Sequence, residues 1–302
     1  MECAFCDNNQ VALKKEYKEF KFRKEGFIIA QHYYKCDVCG EEFTTTETDQ
    51  LSIAQVYNQF RERHRVLLPE QIKALREKYG LSAARMSEIL GFGINSYGKY
   101  ERGEIPNDSN AALLNLIGEP KNFKQLVEEK KELLPEREYQ KITKRINGLL
   151  NSPSEFSIKN ELFSEKIIPN RYRGYTLPRY EKFANMLIYF IDAMKPFMVK
   201  LNKLMFYADF LNYRTSGASI SGYQYKAIQR GPVPVDYDIA FNLIEKDEFL
   251  DREYVSFRNG EGAERFISVK QFDKSLFTET ELASLCEVAN RLNTLPPTKS
   301  NN

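Results

Sequence analysis

The stretch LSAARMSEILGFGINSYGKYERGEIP, Leu81–Pro106, decides how the middle of this chain folds. Ser82 is suited to cap a helix, because its hydroxyl accepts a first-turn N–H. Met86, Ile89 and Leu90 then share one face, and Gly91 stops the helix. A second short helix is expected from Ile94 to Tyr100, ended by Gly103 and Pro106. Two short helices joined by a tight glycine turn make a helix-turn-helix, whose second helix enters the major groove of DNA. Upstream, Pro69 opens a helix with Ile72, Leu75 and Tyr79 on one face and Gly80 at its end. Downstream, Asp108 or Ser109 opens another, with Ala112, Leu113, Leu116 and Ile117 facing inward. Pro69 to Gly118 hold six basic and six acidic residues. Charge alone therefore fits a plain helical bundle equally well, and the motif carries the nucleic-acid reading. Tyr97 and Tyr100 read as core.

Toward the N-terminus, Cys3-Ala-Phe-Cys6 and Cys36-Asp-Val-Cys39 form two knuckles separated by 29 residues. Two such pairs supply the four thiolates of a closed tetrahedral zinc site, so one structural Zn2+ per chain is expected on Cys3, Cys6, Cys36 and Cys39. A redox dithiol needs only one pair and usually sits on a βαβ unit, which this region does not resemble. Strands are expected in EYKEFKF (16–22) and FIIAQHYY (27–34), with Gly26 as the turn and His32 as a strand residue. Residues 51–66 read as a connecting helix. Its basic end, RERHR (61–65), is either a solvated helix end or a DNA contact.

The knuckles followed by the N-x-x-x-K/R-Y-E-x-G run resemble the MqsA-type antitoxins over roughly residues 1–118. Those have an N-terminal zinc domain and then an Xre-type helix-turn-helix. The resemblance implies that Asn95 and Lys99 read bases. Asn suits adenine in bidentate fashion and Lys donates to guanine. The family residue expected at the second position is Arg; Lys lacks its planar fork, which softens discrimination. Ser96 and Arg102 are placed to touch phosphate.

Residues 119–178 read as two charged amphipathic helices around Pro135 and a loop, a helical linker or dimer arm with a partial stripe of Leu126, Leu133, Ile142, Ile146 and Leu149. Residues 179–302 form a separate α+β unit. It has an apolar helix in YEKFANMLIYFIDAM and another in PFMVKLNKLMFYADFLNYRTSG. A short strand, a rigid two-proline turn and a helix from about Asp236 to Lys246 follow. A hairpin around NGEG (259–262) and a last helix opened by a Thr278/Glu281 capping box complete it. KLNKLMFYADF (200–210), SISGYQY (219–225) and GPVPVDYD (231–238) resemble the Panacea, or SocA-like, domain. That family includes antitoxin modules against diverse toxins and a proteolytic adaptor. Its members usually continue past the last helix with a His- and Trp-bearing segment that PPTKSNN (296–302) does not supply. Candidate partner contacts are Tyr207, Asp209, Tyr213, Tyr225, Arg230, Pro232 and Pro234; each is equally readable as structural, and for Asp209 and the prolines the structural reading is favoured. Asp209 reads as a fixed acceptor toward the backbone near Gly231–Val235, and Cys286 as a buried small hydrophobe.

The composition bounds the function. The 302 residues carry a net charge of +2, two histidines and five cysteines. Such a chain has several domains, no steering field and no disulfide framework. No apolar run approaches the ~20 residues that span a bilayer. MECAFCDNN does not read as a signal peptide, so the cytoplasm is expected. Neither His32 nor His64 accompanies a nucleophile signature, and an enzyme is not expected. The sequence thus predicts a multidomain α+β chain. Residues 1–50 are a small β-rich zinc domain and 51–118 a connecting helix and all-α helix-turn-helix. Residues 119–178 are a helical linker and 179–302 an α+β Panacea-like domain. The expected function is an antitoxin that binds its toxin and represses its own operon as a homodimer on operator DNA. A proteolytic adaptor or a stand-alone prophage repressor are the rivals.

Overall fold

The computed structural model describes residues 1–151, 158–163, 170–229, 231–257 and 262–293. The chain is mixed α+β and divides into two compact units. One comprises Met1–Phe20, Ile28–Gln55 and Ser157–Asn302; the other comprises Lys21–Phe27 and Val56–Phe156. Among the described residues no helix is long and apolar enough to cross a membrane.

The first unit begins with most of a three-stranded sheet, β1 (Val11–Phe22), β2 (Glu25–Cys36) and β3 (Glu42–Phe43), in that order. The expected turn at Gly26 is displaced. Arg23 and Lys24 make it instead, both at positive φ (46° and 69°), as a two-residue hairpin turn requires. β3 pairs with β2 only at Tyr34 and Lys35. Further along β2, the Gln55 side chain takes the place of a strand. Its Nε2 donates to the Ala30 carbonyl and its Oε1 accepts the Ala30 N–H, each at 3.0 Å. Gln55 belongs to α1 (Thr46–His64), which starts earlier than the sequence pattern suggested.

The C-terminal part of the same unit is built round α9 (Tyr180–Met194). Phe183, Ala184, Met186, Leu187, Ile188 and Phe190 are all fully buried, so this helix is apolar nearly all round and lies inside the core. Against it pack α10 (Met198–Ser216) and α12 (Glu279–Asn293). Before α9 comes α8 (Ile158–Leu162); after α10 come β4 (Tyr225–Ile228), β5 (Gly231–Pro234), α11 (Tyr237–Lys246), β6 (Leu250–Ser256) and β7 (Gly262–Ser268). The two prolines do not form a turn. They sit in β5, Pro232 opposite Ala227 and Pro234 opposite Tyr225. Two residues apart, both occupy ladder positions that need no N–H. β6 and β7 form the expected hairpin, from Leu250 opposite Ser268 to Ser256 opposite Gly262. The NGEG turn itself falls mostly outside the described residues.

The expected capping box opens α12: Glu281 N donates to Thr278 Oγ1 at 3.3 Å and Thr278 N to Glu281 Oε2 at 2.8 Å. The other carboxylate oxygen accepts from the buried Lys182 Nζ at 2.5 Å, tying α12 to α9. Cys286 is exposed rather than buried, because the inward stripe of α12 runs through Leu285, Val288 and Ala289. Gly222 has φ +67°, and a Cβ there would stand 2.5 Å from the Leu177 backbone, so no other residue fits.

The second unit is helical: α2 (Pro69–Tyr79), α3 (Ala83–Ile89), α4 (Ser96–Glu101), α5 (Asp108–Leu116), α6 (Pro120–Glu129) and α7 (Glu136–Asn151). Ile72, Tyr79, Met86, Ile89, Tyr97 and Leu114 share one core with Phe123, Val127, Ile142 and Ile146, so α6 and α7 complete the bundle. In α5 the cap is Asn107, whose side chain accepts the Asn110 N–H at 2.8 Å. The buried positions are then Ala111, Leu114 and Ile117, while Ala112 and Leu116 face out. Three residues of the basic end of α1 have partners within the chain. Arg61 is buried and donates to the Gly103 carbonyl at 2.7 Å, and its burial pushes the guanidinium down to about 10. Arg63 and His64 both reach Glu25 at 2.7 Å.

Candidate functional site

The two cysteine knuckles fold alike. Asp7 N donates to the Cys3 carbonyl and Gly40 N to the Cys36 carbonyl, each at 3.0 Å, and both donors are left-handed (φ 55° and 78°). Each turn brings its two sulfurs to the same side. The four Sγ atoms lie within 4.8 Å of one another, with Cys3–Cys39 at 3.6 Å and Cys6–Cys36 at 3.7 Å. A tetrahedral ion with metal–sulfur bonds of ~2.3 Å sets sulfurs roughly 3.8 Å apart, so this donor set fits one metal ion. Cys3 and Cys36 are buried while Cys6 and Cys39 are exposed. The backbone N–H of Cys39, and then that of Val38, stabilise the Cys36 thiolate and hold the thiol down at about 7. His32 is a strand residue of β2 and stands outside this cluster.

In the helix-turn-helix, Ser82 Oγ accepts the Arg85 N–H at 3.2 Å, and Ser87 Oγ on α3 accepts the Tyr97 N–H of α4 at 3.1 Å. Tyr97 OH donates to the Ile72 carbonyl at 2.7 Å, and Arg76 Nε to Glu101 Oε1 at 2.6 Å. The Tyr100 hydroxyl accepts from Asn110 Nδ2 at 2.8 Å. These bonds fix the inner side of α4 on α2, α3 and α5. Its outer side carries Asn95, Lys99 and Arg102, all exposed, with Ser96 half-buried. Among the described residues neither Lys99 nor Arg102 has an ion-pair partner, and the Asn95 side chain makes no cap bond. α4 starts two residues later than expected, because Asn95 is left-handed at φ 62°. This leaves Ile94 on the surface, 90 % exposed beside Asn95, a residue that apolar patterning assigns to the helix and therefore overlooks.

Of the expected partner contacts that lie among the described residues, Asp209 and Pro234 are buried and Tyr207 is exposed. Asp209 is buried in α10, and its Oδ1 accepts the N–H groups of Ile220 and Ser221 at 2.8 and 2.7 Å. Its Oδ2 accepts from Ser221 Oγ at 2.5 Å and Tyr225 OH at 2.6 Å. The backbone it holds is thus 220–221, not 231–235. Burial pushes this carboxyl up, and the four donated bonds pull it back. Pro234 is buried and Pro232 half-buried in β5. Arg230 lies outside the described residues. Tyr207 is exposed, and the half-buried Tyr213 stacks near Tyr175 with ring centroids 6.4 Å apart. Phe210 and Arg214, on the same side of α10 as Tyr207, are exposed as well and escaped the sequence reading.

Residues 1–136 match the family model of MqsA, the antitoxin component of a bacterial toxin–antitoxin system. Residues 201–299 match the antitoxin SocA-like Panacea domain. Among curated proteins the chain is similar to antitoxin MqsA of Escherichia coli (strain K12), 28% identical over 121 residues, which are 39% of this chain and 92% of the relative. The chain is thus similar to the MqsA antitoxins over residues 1–136 and to the SocA-like Panacea domain over residues 201–299.

Proposed function

We propose that this protein is a DNA-binding antitoxin that neutralises a partner toxin by direct binding and represses its own operon. One observation carries the DNA half. α4 is bolted to its bundle through Tyr97, Tyr100 and Glu101 and presents Asn95, Lys99 and Arg102 outward without partners among the described residues. Asn95 suits adenine and Lys99 guanine in the major groove, while Ser96 and Arg102 serve phosphate. Ile94, beside Asn95, supplies an apolar contact of the kind a thymine methyl group takes. A homodimer on a two-fold operator follows from the motif's use of half-sites. Cys3, Cys6, Cys36 and Cys39 would hold one structural Zn2+, which closes the two knuckles and leaves no coordination position for a reacting water. The domains are taken as 1–50, 51–118, 119–178 and 179–302, with α6 and α7 of the third sharing the core of the second, in the cytoplasm, without catalytic residues.

Mobility-shift titration with the protein's own promoter tests the readout. The Asn95→Ala/Lys99→Ala double variant is expected to lose operator binding at least a hundredfold with its metal content intact; unchanged affinity removes these residues from the readout. Growth rescue from the adjacent gene's product tests neutralisation, and deletion of residues 179–302 is expected to abolish it.

A further inference from the structure

On α10, Tyr207, Phe210, Leu211 and Arg214 recur at i, i+3, i+4 and i+7, the spacing of a single helix face. Half of that face is uncovered: Tyr207 is 46% and Phe210 53% exposed. Together with Val288 and Leu292 of α12 it forms one wall of a groove of about 680 Å³, whose other wall is Ala30 and His32 of β2, Lys15 of β1 and Leu51 of α1. All of these residues belong to the first compact unit. A second recess of about 620 Å³ shares Lys15, His32, Leu51 and Arg214 and runs on past Lys14 and Tyr34.

The groove is apolar within and cationic at its rim. Lys14, Lys15 and Arg214 are exposed and have no ion-pair partner among the described residues. Glu47 is the single carboxylate among the residues lining the two recesses. Desolvation first, and then the charges of Lys15 and Arg214, hold the His32 imidazole below its ordinary value, which favours its neutral form beside these cations. Exposed aromatic anchors within a rim of one charge sign are the arrangement of a protein-docking surface. A second copy seated by the same face would set Arg214 against the cations of its twin, which disfavours a self-complementary contact.

Building on the neutralisation proposed above, we infer that this groove receives an acidic, apolar-faced segment of the partner toxin. Tyr207 and Phe210 anchor the apolar side chains of that segment, and Lys14, Lys15 and Arg214 pair with its carboxylates.

Calorimetric titration of the full-length protein with the purified product of the adjacent toxic reading frame tests this. Phe210→Asp places a carboxylate on an exposed part of the wall, and is expected to weaken binding at least tenfold with metal content and thermal unfolding unchanged. Lys15→Glu/Arg214→Glu is expected to weaken it similarly and to abolish the loss of affinity that salt causes in the wild type. Tyr254→Asp, at a 65%-exposed position of β6, is expected to change nothing. Affinity within twofold of wild type for Phe210→Asp overturns the groove as the docking site. Full affinity for the charge-reversed pair overturns the acidic character of the segment. A change of sedimentation mass with partner affinity intact assigns the groove to a second copy and overturns the inference. A wild-type chain that neither binds the product nor rescues growth overturns the neutralisation itself.

Discussion

Two places in the molecule gather four groups round one centre, and they do so in opposite senses. At the knuckles, four sulfurs face one another within 4.8 Å. At Asp209, one carboxylate is ringed by four donors: two backbone N–H groups, the Ser221 hydroxyl and the Tyr225 hydroxyl. Four acceptor-like sulfurs have nothing to offer each other once ionised, so their cluster calls for a cation. The carboxylate and its donors satisfy one another, so that site is complete without a ligand. A concentration of polar residues is therefore not by itself a binding site; the sign of what is missing decides.

The largest effect follows at the cluster that lacks its counter-charge. Cys36→Ser removes a buried ligand and is expected to abolish metal binding, read by elemental analysis as a fall from about one zinc per chain to none. The linked folding free energy is on the order of 10 kcal/mol for a four-thiolate site, so residues 1–50 should become protease-sensitive. The helical bundle owes nothing to these sulfurs and is expected to remain protected. Loss of metal with an unaltered cleavage pattern would break the contrast.

Asp209→Ala should show an effect of a few kcal/mol with the metal untouched. It leaves four inward donors facing a small void, and a cost of about 4 kcal/mol is expected from stranding hydrogen bonds made to a charged group. The measurement is a urea midpoint shift with zinc content still at its wild-type value. A wild-type midpoint would mean that water satisfies the donors and that the site is open after all.

The two sites were also unequally legible. Each knuckle is a four-residue signal, and Ser82, Gly80 and Gly91 mark the helices of the helix-turn-helix equally locally. Asp209 was recognisable as a fixed acceptor from its place in an apolar helix, yet its partners were misplaced. Which loop returns to α10 depends on Gly222 passing against the Leu177 backbone, a contact with no mark in the sequence. The hairpin turn at Arg23–Lys24 was missed because strand pairing forces φ on residues that do not prefer it. The phase of α5 was missed because Asn107, not Asp108 or Ser109, caps it. Cys286 was misjudged for the same reason, since one residue of phase turns a side chain from core to solvent. The groove was beyond reach altogether, as its walls draw on residues from Lys15 to Leu292.

The finest prediction concerns the proton at Asp209. Burial raises this carboxyl above its ordinary 3.8, so between that pH and its folded-state value the native protein holds a proton that the unfolded chain has released. Folding stability from this group is thus full below 3.8 and declines as pH rises through the folded-state value. Asp209→Asn has no proton to lose there. The wild-type stability minus that of Asp209→Asn, from urea titrations at a series of pH values, is therefore expected to fall as pH rises across this window. Both proteins keep the same cysteines, so metal release at low pH cancels in the difference. Tyr225→Phe removes one of the four donors at a cost of about 1–2 kcal/mol. It should push the carboxyl higher still and move the decline to higher pH. A difference that rises with pH would mean that the four donors outweigh burial and that folding lowers the Asp209 carboxyl instead of raising it.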